Sequence, residues 1–211
     1  MKVIMINGST RKNGCTYTAL SEIAKILNDE GIETEILQMG GKSIRDCIGC
    51  GGCVGKGHCV FNDDTVNEWI DKAKEADGFI FGTPVYFAHP SGQIQSLLDR
   101  MFCAGGENFT HKPSAVITSA RRGGTTASLD TLNKYFGIQQ MPIITSTYWN
   151  MVHGNTPDEV RQDSEGMQTM RNLGRNMAWF LKCVEASRHQ GVEVPDAESD
   201  NWTNFIRQDK R

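Results

Sequence analysis

The sequence predicts an α/β fold: one doubly wound domain on a five-stranded parallel sheet. Three features predict it. Five short apolar segments alternate with amphipathic ones, strand then helix each time. The runs KVIMI and GFIFG are apolar at successive positions, as strands buried on both faces are. Loops rich in Gly, Ser and Arg follow the strands, where such sheets place their ligands.

Each element follows from its pattern. Lys2–Ile6 is a buried strand ended by the turn NGST. Thr16–Glu30 carries Leu20, Ile23, Ala24 and Leu27 at helical spacing, and Gly31 stops it. Glu33–Leu37 alternates and reads as a second strand nearer an edge. Gly40–Gly57 holds seven Gly and reads as a functional loop. Asp63–Ala76 is a helix with Val66, Trp69, Ile70 and Ala73 on one face. Gly78–Gly82 is the third strand, and Ser91–Phe102 a helix with the stripe Ile94, Leu97, Leu98 and Met101. Pro113–Ala120 contains the fourth strand, Leu129–Phe136 lies in a helix, and Met141–Thr147 is the fifth strand. Asp158–Ser187 reads as one long helix with Met170, Leu173, Met177, Leu181 and Val184 as its stripe. The domain is expected over 1–187, with a Cys-rich loop at 43–60. A polar tail, 188–211, carries Trp202 and Phe205 and is expected to act as a dimer arm.

Composition narrows the function. With 22 Lys+Arg against 25 Asp+Glu, the formal charge is −3, which excludes a strongly basic nucleic-acid binder. The apolar runs are far shorter than the roughly 20 residues that span a bilayer, and no secretory leader is visible. A cytoplasmic protein with no membrane partner is the expectation. Four of the seven Cys fall between positions 47 and 59, and in a cytosolic chain such clusters are metal ligands or redox groups more often than disulfides.

Three post-strand loops carry the chemistry. GSTRKNGCT, Gly8–Thr16, runs into a helix N-terminus, where free amides and the helix dipole favour an anion. Ser9 and Thr16 add hydroxyls and Arg11 and Lys12 add charge. The loop lacks the Gly-Lys-Ser/Thr ending of a P-loop, and no G-x-G-x-x-G is present. A Ser/Thr-rich helix cap without ligand is the plain alternative. TPVYF, Thr83–Phe87, offers aromatic surface beside polar backbone, suited to a flat ring or to capping the core. SARRGG, Ser119–Gly124, suits contact with a ring or an anion, or is a pair of solvated Arg on a turn.

Taken together these motifs resemble the flavodoxin-like NAD(P)H-dependent FMN reductases and, within them, the iron–sulfur flavoproteins. The resemblance spans roughly Met1–Leu181 and includes TPVYFAHPSGQIQSLLDR and TYWNMVHG. It implies strand order 2-1-3-4-5 and an FMN phosphate on Ser9, Arg11, Asn13, Gly14, Cys15 and Thr16. The isoalloxazine would then lie on Pro84, Val85, Tyr86 and Phe87, with Ser119, Arg121, Gly123 and Gly124 at its other edge. The chain departs from the family pattern at Thr10, usually Pro, and at Cys15, usually Asn. The implied activity passes electrons from NAD(P)H through FMN to a small-molecule or protein acceptor, in a homodimer or homotetramer. The rival readings are a flavodoxin-like carrier that does not turn over nicotinamide and a zinc-stabilised binding module.

The cluster has the spacing Cys47-x2-Cys50-x2-Cys53-x5-Cys59. Three Cys at three-residue steps are closer to ferredoxin-type ligation than to paired zinc CxxC motifs. The resemblance implies a 4Fe-4S cluster on these four residues; a four-thiolate zinc site and free thiols are the alternatives. Cys103 and Cys183 read as small core residues. Cys15, beside Arg11 and Lys12, is either a turn filler or a thiol of lowered pKa.

Overall fold

The computed structural model describes residues 1–201. Five parallel strands form the sheet: β1 (Lys2–Asn7), β2 (Glu33–Gln38), β3 (Gly78–Tyr86), β5 (Ser114–Ala120) and β6 (Met151–His153). Their order is β2-β1-β3-β5-β6. The two-residue β4 (His89–Pro90) folds back on the end of β3 as a hairpin. Counting only the parallel strands, the order is 2-1-3-4-5, as expected.

Strand side chains alternate between two cores. Ile4, Ile6, Phe79, Phe81 and Val116 face one, packed by α2 (Val66–Lys74), α3 (Gly92–Gly105) and α4 (Thr125–Ile138). Val3, Met5, Ile80, Ala115 and Ile117 face the other, packed by α1 (Cys15–Asp29) and α6 (Ser164–His189). Burial on both faces is why these strands read as unbroken apolar runs. Among the described residues, no helix is long and apolar enough to cross a membrane.

Two expected elements are corrected. The fifth strand is split. Near Ile143 the chain pairs with Ser114, the Ser114 amide donating to the Pro142 carbonyl at 2.8 Å. It then leaves the sheet and returns only at Met151–His153, beside Thr118–Ala120. The Ser146 hydroxyl lies 2.7 Å from both the Tyr148 carbonyl and Asn150 Oδ1, a local turn that competes with the ladder. The long helix is also split, into α5 (Pro157–Gln162) and α6. Asp163 caps α6 by accepting from the Gly166 amide at 2.9 Å and from the His153 amide at 2.7 Å. Of the tail, Trp202 and Phe205 lie outside the described residues.

Candidate functional site: a loop edge and a cysteine pocket

The three loops meet at the carboxyl edge of the sheet. The Gly8 amide donates to the Gly82 carbonyl at 2.8 Å, and Ser91 Oγ donates to the Gly8 carbonyl at 3.1 Å. Thr16 and Ser119, both buried, are joined hydroxyl to hydroxyl at 2.8 Å, tying the first loop to the third. Asn7 Nδ2 donates to the Lys12 carbonyl, and Gln38 Nε2 to the Ser9 carbonyl at 2.6 Å. Ser9 Oγ accepts from the Arg11 amide at 3.1 Å. Asn7 and Gln38, both at strand ends, brace this loop, and loop motifs alone do not reveal them.

This edge fits a phosphate. The N-cap of α1 is Gly14, with no side-chain cap and no acidic residue in the first turn. Its first amides have no intrahelical acceptor and remain free for an anion. Arg11, Lys12 and Asn13 are exposed beside them. Helix α4 likewise starts at an uncapped glycine, Gly124, without acidic neighbours. Cys15 is half-buried, with Sγ 3.7 Å from the Gly154 carbonyl. Burial pushes its thiol up, outweighing Arg11. The expectation of a lowered pKa is thus corrected, and Cys15 fills the turn.

The second loop is a hairpin turn. Phe87 (φ 48°) and Ala88 (φ 65°) both sit in the left-handed region, as a two-residue hairpin turn demands. Neither is glycine, so the turn is strained. It holds the Phe87 ring fully in solvent at the site's rim, beside half-exposed Tyr86. Gly124, at φ 90°, packs beneath it: a Cβ there would lie 2.5 Å from Ala88 Cα and 2.8 Å from Val85 Cγ1. Arg121 and Gly123 are exposed above this contact.

The loop between β2 and α2 forms a separate pocket on the flank of α3. Cys47, Cys50, Cys53 and Cys59 line one cavity of about 300 Å³, together with Arg100 and Cys103. Gly49, Gly51, Gly55 and Gly57 take φ between 63° and 69° and let the chain coil around it. Although the loop leaves the sheet at this carboxyl edge, the pocket does not sit there. Arg100 and Cys103 follow Gly92 by eight and eleven residues, about 12 and 16 Å along the helix axis.

The core assignment of two cysteines is corrected. Cys183 is exposed on α6, and Cys103 is exposed in the cysteine pocket, where its carbonyl accepts from Cys53 Sγ at 3.5 Å. Partial burial and the neighbouring Cys47 push the Cys103 thiol up. Among the described residues, no group of three or more His, Cys, Asp or Glu is arranged to hold a metal ion. The donor set, four thiols on one pocket, has the chemistry of a thiolate-ligated metal or cluster site.

Residues 1–156 match the model of the family described as NADPH-dependent FMN reductase. The chain belongs to that family. Within this FMN reductase family its relatives include an iron–sulfur flavoprotein of Methanocaldococcus jannaschii. It is 35% identical over 193 residues, covering 88% of this chain and 100% of that one. An iron–sulfur flavoprotein of Methanosarcina thermophila is 26% identical, covering 89% and 99%. Among solved structures, an archaeal flavodoxin superposes with a TM-score of 0.59 at 14% identity, covering 86% of this chain and 99% of that one, and shows the fold. This FMN reductase family member is a flavin-dependent oxidoreductase.

Proposed function

We propose that the protein passes electrons from NAD(P)H through FMN to a small-molecule or protein acceptor, with a 4Fe-4S cluster in the cysteine pocket. The observation that carries the flavin part is the uncapped α1 N-terminus, joined by Thr16–Ser119 to the third loop. When bound, FMN supplies hydride acceptance and electron release. The chain's own residues do the rest. The free amides of α1, with Arg11 and Lys12, hold the phosphate. Asn7 and Gln38 keep that loop closed, and the Phe87–Ala88 turn with Gly124 shapes the shelf for the ring. The cluster reading is supported by four thiols lining one pocket and by the names of the relatives. The exposed rings of Phe87, Tyr148, Trp149 and Trp179 support a homodimer or homotetramer, and the cytosolic address rests on the composition of the chain.

The test is anaerobic purification, an absorption spectrum, iron and acid-labile sulfide analysis, and titration with NADPH and NADH. The expected result is flavin absorbance bleached by a nicotinamide, with iron and sulfide in equal amounts. Flavin that neither nicotinamide bleaches leaves a carrier instead of a reductase. Absence of iron and sulfide rejects the cluster and leaves the flavin reading standing.

A further inference from the structure

Arg100 is among the largest fully buried side chains in the molecule, at 1% exposure. A buried guanidinium is costly unless every edge is met. Here each edge has a partner in the cysteine loop. Nε donates to Cys59 Sγ at 3.3 Å, and Nη2 donates to the Phe61 carbonyl at 3.1 Å. Nη1 donates to the Arg45 carbonyl and to the carboxylate of Asp64, itself 6% exposed. The backbone of Cys59 is fixed separately. Its amide donates to Asn67 Oδ1 at 2.8 Å, and its carbonyl accepts from Asn67 Nδ2 at 2.9 Å. Cys59 is therefore held at three points by α2 and α3 with no metal required, and one of those points carries a full charge.

We propose that Arg100 is the positioning and charge-setting residue of the cysteine pocket: it holds the Cys59 sulfur in place as a ligand and fixes positive charge beside the thiolates, with Asp64 partly offsetting that charge. This rests on the cluster reading above. Net charge and hydrogen bonds to sulfur are among the terms that set the potential of such a group. Added positive charge favours the reduced, more negative form. Arg100 and Asp64 must then act with opposite signs, although either substitution breaks the same ion pair. Loss of scaffold alone would move both variants the same way.

The experiment compares wild type, Arg100→Gln, Arg100→Lys and Asp64→Asn. In the holoproteins, a redox titration follows the iron–sulfur signal. Arg100→Gln is expected to shift the reduction equilibrium at least tenfold against the reduced form, which is 59 mV for a one-electron couple. Asp64→Asn is expected to shift it the opposite way. Arg100→Lys keeps the charge but loses the fork, so its potential stays near wild type while its iron content falls. Shifts of the same sign in Arg100→Gln and Asp64→Asn, or no shift in Asp64→Asn, overturn the proposal.

A second arm needs no cluster. In metal-free protein, Cys59 is alkylated with anionic iodoacetate and with neutral iodoacetamide, and the rates are read by peptide mass mapping. The iodoacetate preference at Cys59 is expected to fall about threefold in Arg100→Gln and to rise in Asp64→Asn. At Cys183, on the opposite face of the sheet, it stays constant. An unchanged preference at Cys59 overturns the proposal. Wild type lacking iron and sulfide overturns the cluster reading instead, and the alkylation arm then decides the role of Arg100. Should Arg100→Gln not fold, Asp64→Asn still gives the sign in both arms.

Discussion

At the scale of single residues, the contact between the third loop and the hairpin depends on Gly124. Alanine there must hold a left-handed backbone, which costs an L-residue about 1–2 kcal/mol, and its Cβ would collide with Ala88. Gly124→Ala is expected to push the third loop off the hairpin and weaken FMN binding tenfold or more, read by titrating flavin fluorescence. Cys15 makes a prediction in pH. Its folded thiol is raised by burial, so the protonated thiol favours the fold below the ordinary thiol pKa near 8.5. That contribution disappears as pH rises through the higher folded value. Between pH 8 and pH 10 the wild type should therefore lose more stability in urea than Cys15→Ala. Equal losses would show that the thiol is not linked to folding.

At the scale of elements, Asp163 joins two pieces. One carboxylate caps α6 and tethers β6 through the amides of Gly166 and His153. Asp163→Ala is expected to cost about 1–2 kcal/mol, the upper range for a lost cap, measured by chemical denaturation. Hydrogen exchange at Met151–His153 should accelerate with it, because that strand is three residues long. A loss confined to α6 would mean that the β6 tether contributes nothing. The hairpin shows the reverse economy: a strained two-residue turn at Phe87–Ala88 is kept in place by Gly124 below it.

At the scale of the whole molecule, the proposed homo-oligomer is tested at Phe87, whose ring is fully in solvent at the rim of the site. Light scattering is expected to give a multiple of the 23.4 kDa chain mass, and Phe87→Ser is expected to lower it or raise its concentration dependence. A monomer at all concentrations would remove the oligomer from the proposed function.

The parallel strands and their two-sided burial were legible in the sequence because both are written in local periodicity, whereas the strand order 2-1-3-4-5 came with the family resemblance. KVIMI and GFIFG are apolar at successive positions because Ile4 and Phe79 fill one core while Met5 and Ile80 fill the other. The split fifth strand was not legible, because an edge strand has a single partner and a few side-chain turns around Ser146 outweigh its ladder. Nor was the place of Cys103, whose helical stripe looks the same whether it faces a core or a pocket. The sequence by itself determined the class of fold, the glycine loop that opens the first helix and the four clustered thiols. Only the tertiary structure decided that those thiols line one pocket on the flank of α3, with a buried arginine at one sulfur. The physical reason is distance along the chain: Cys59 and Arg100 are 41 residues apart, and only the packing of α2, α3 and the loop brings them to 3.3 Å.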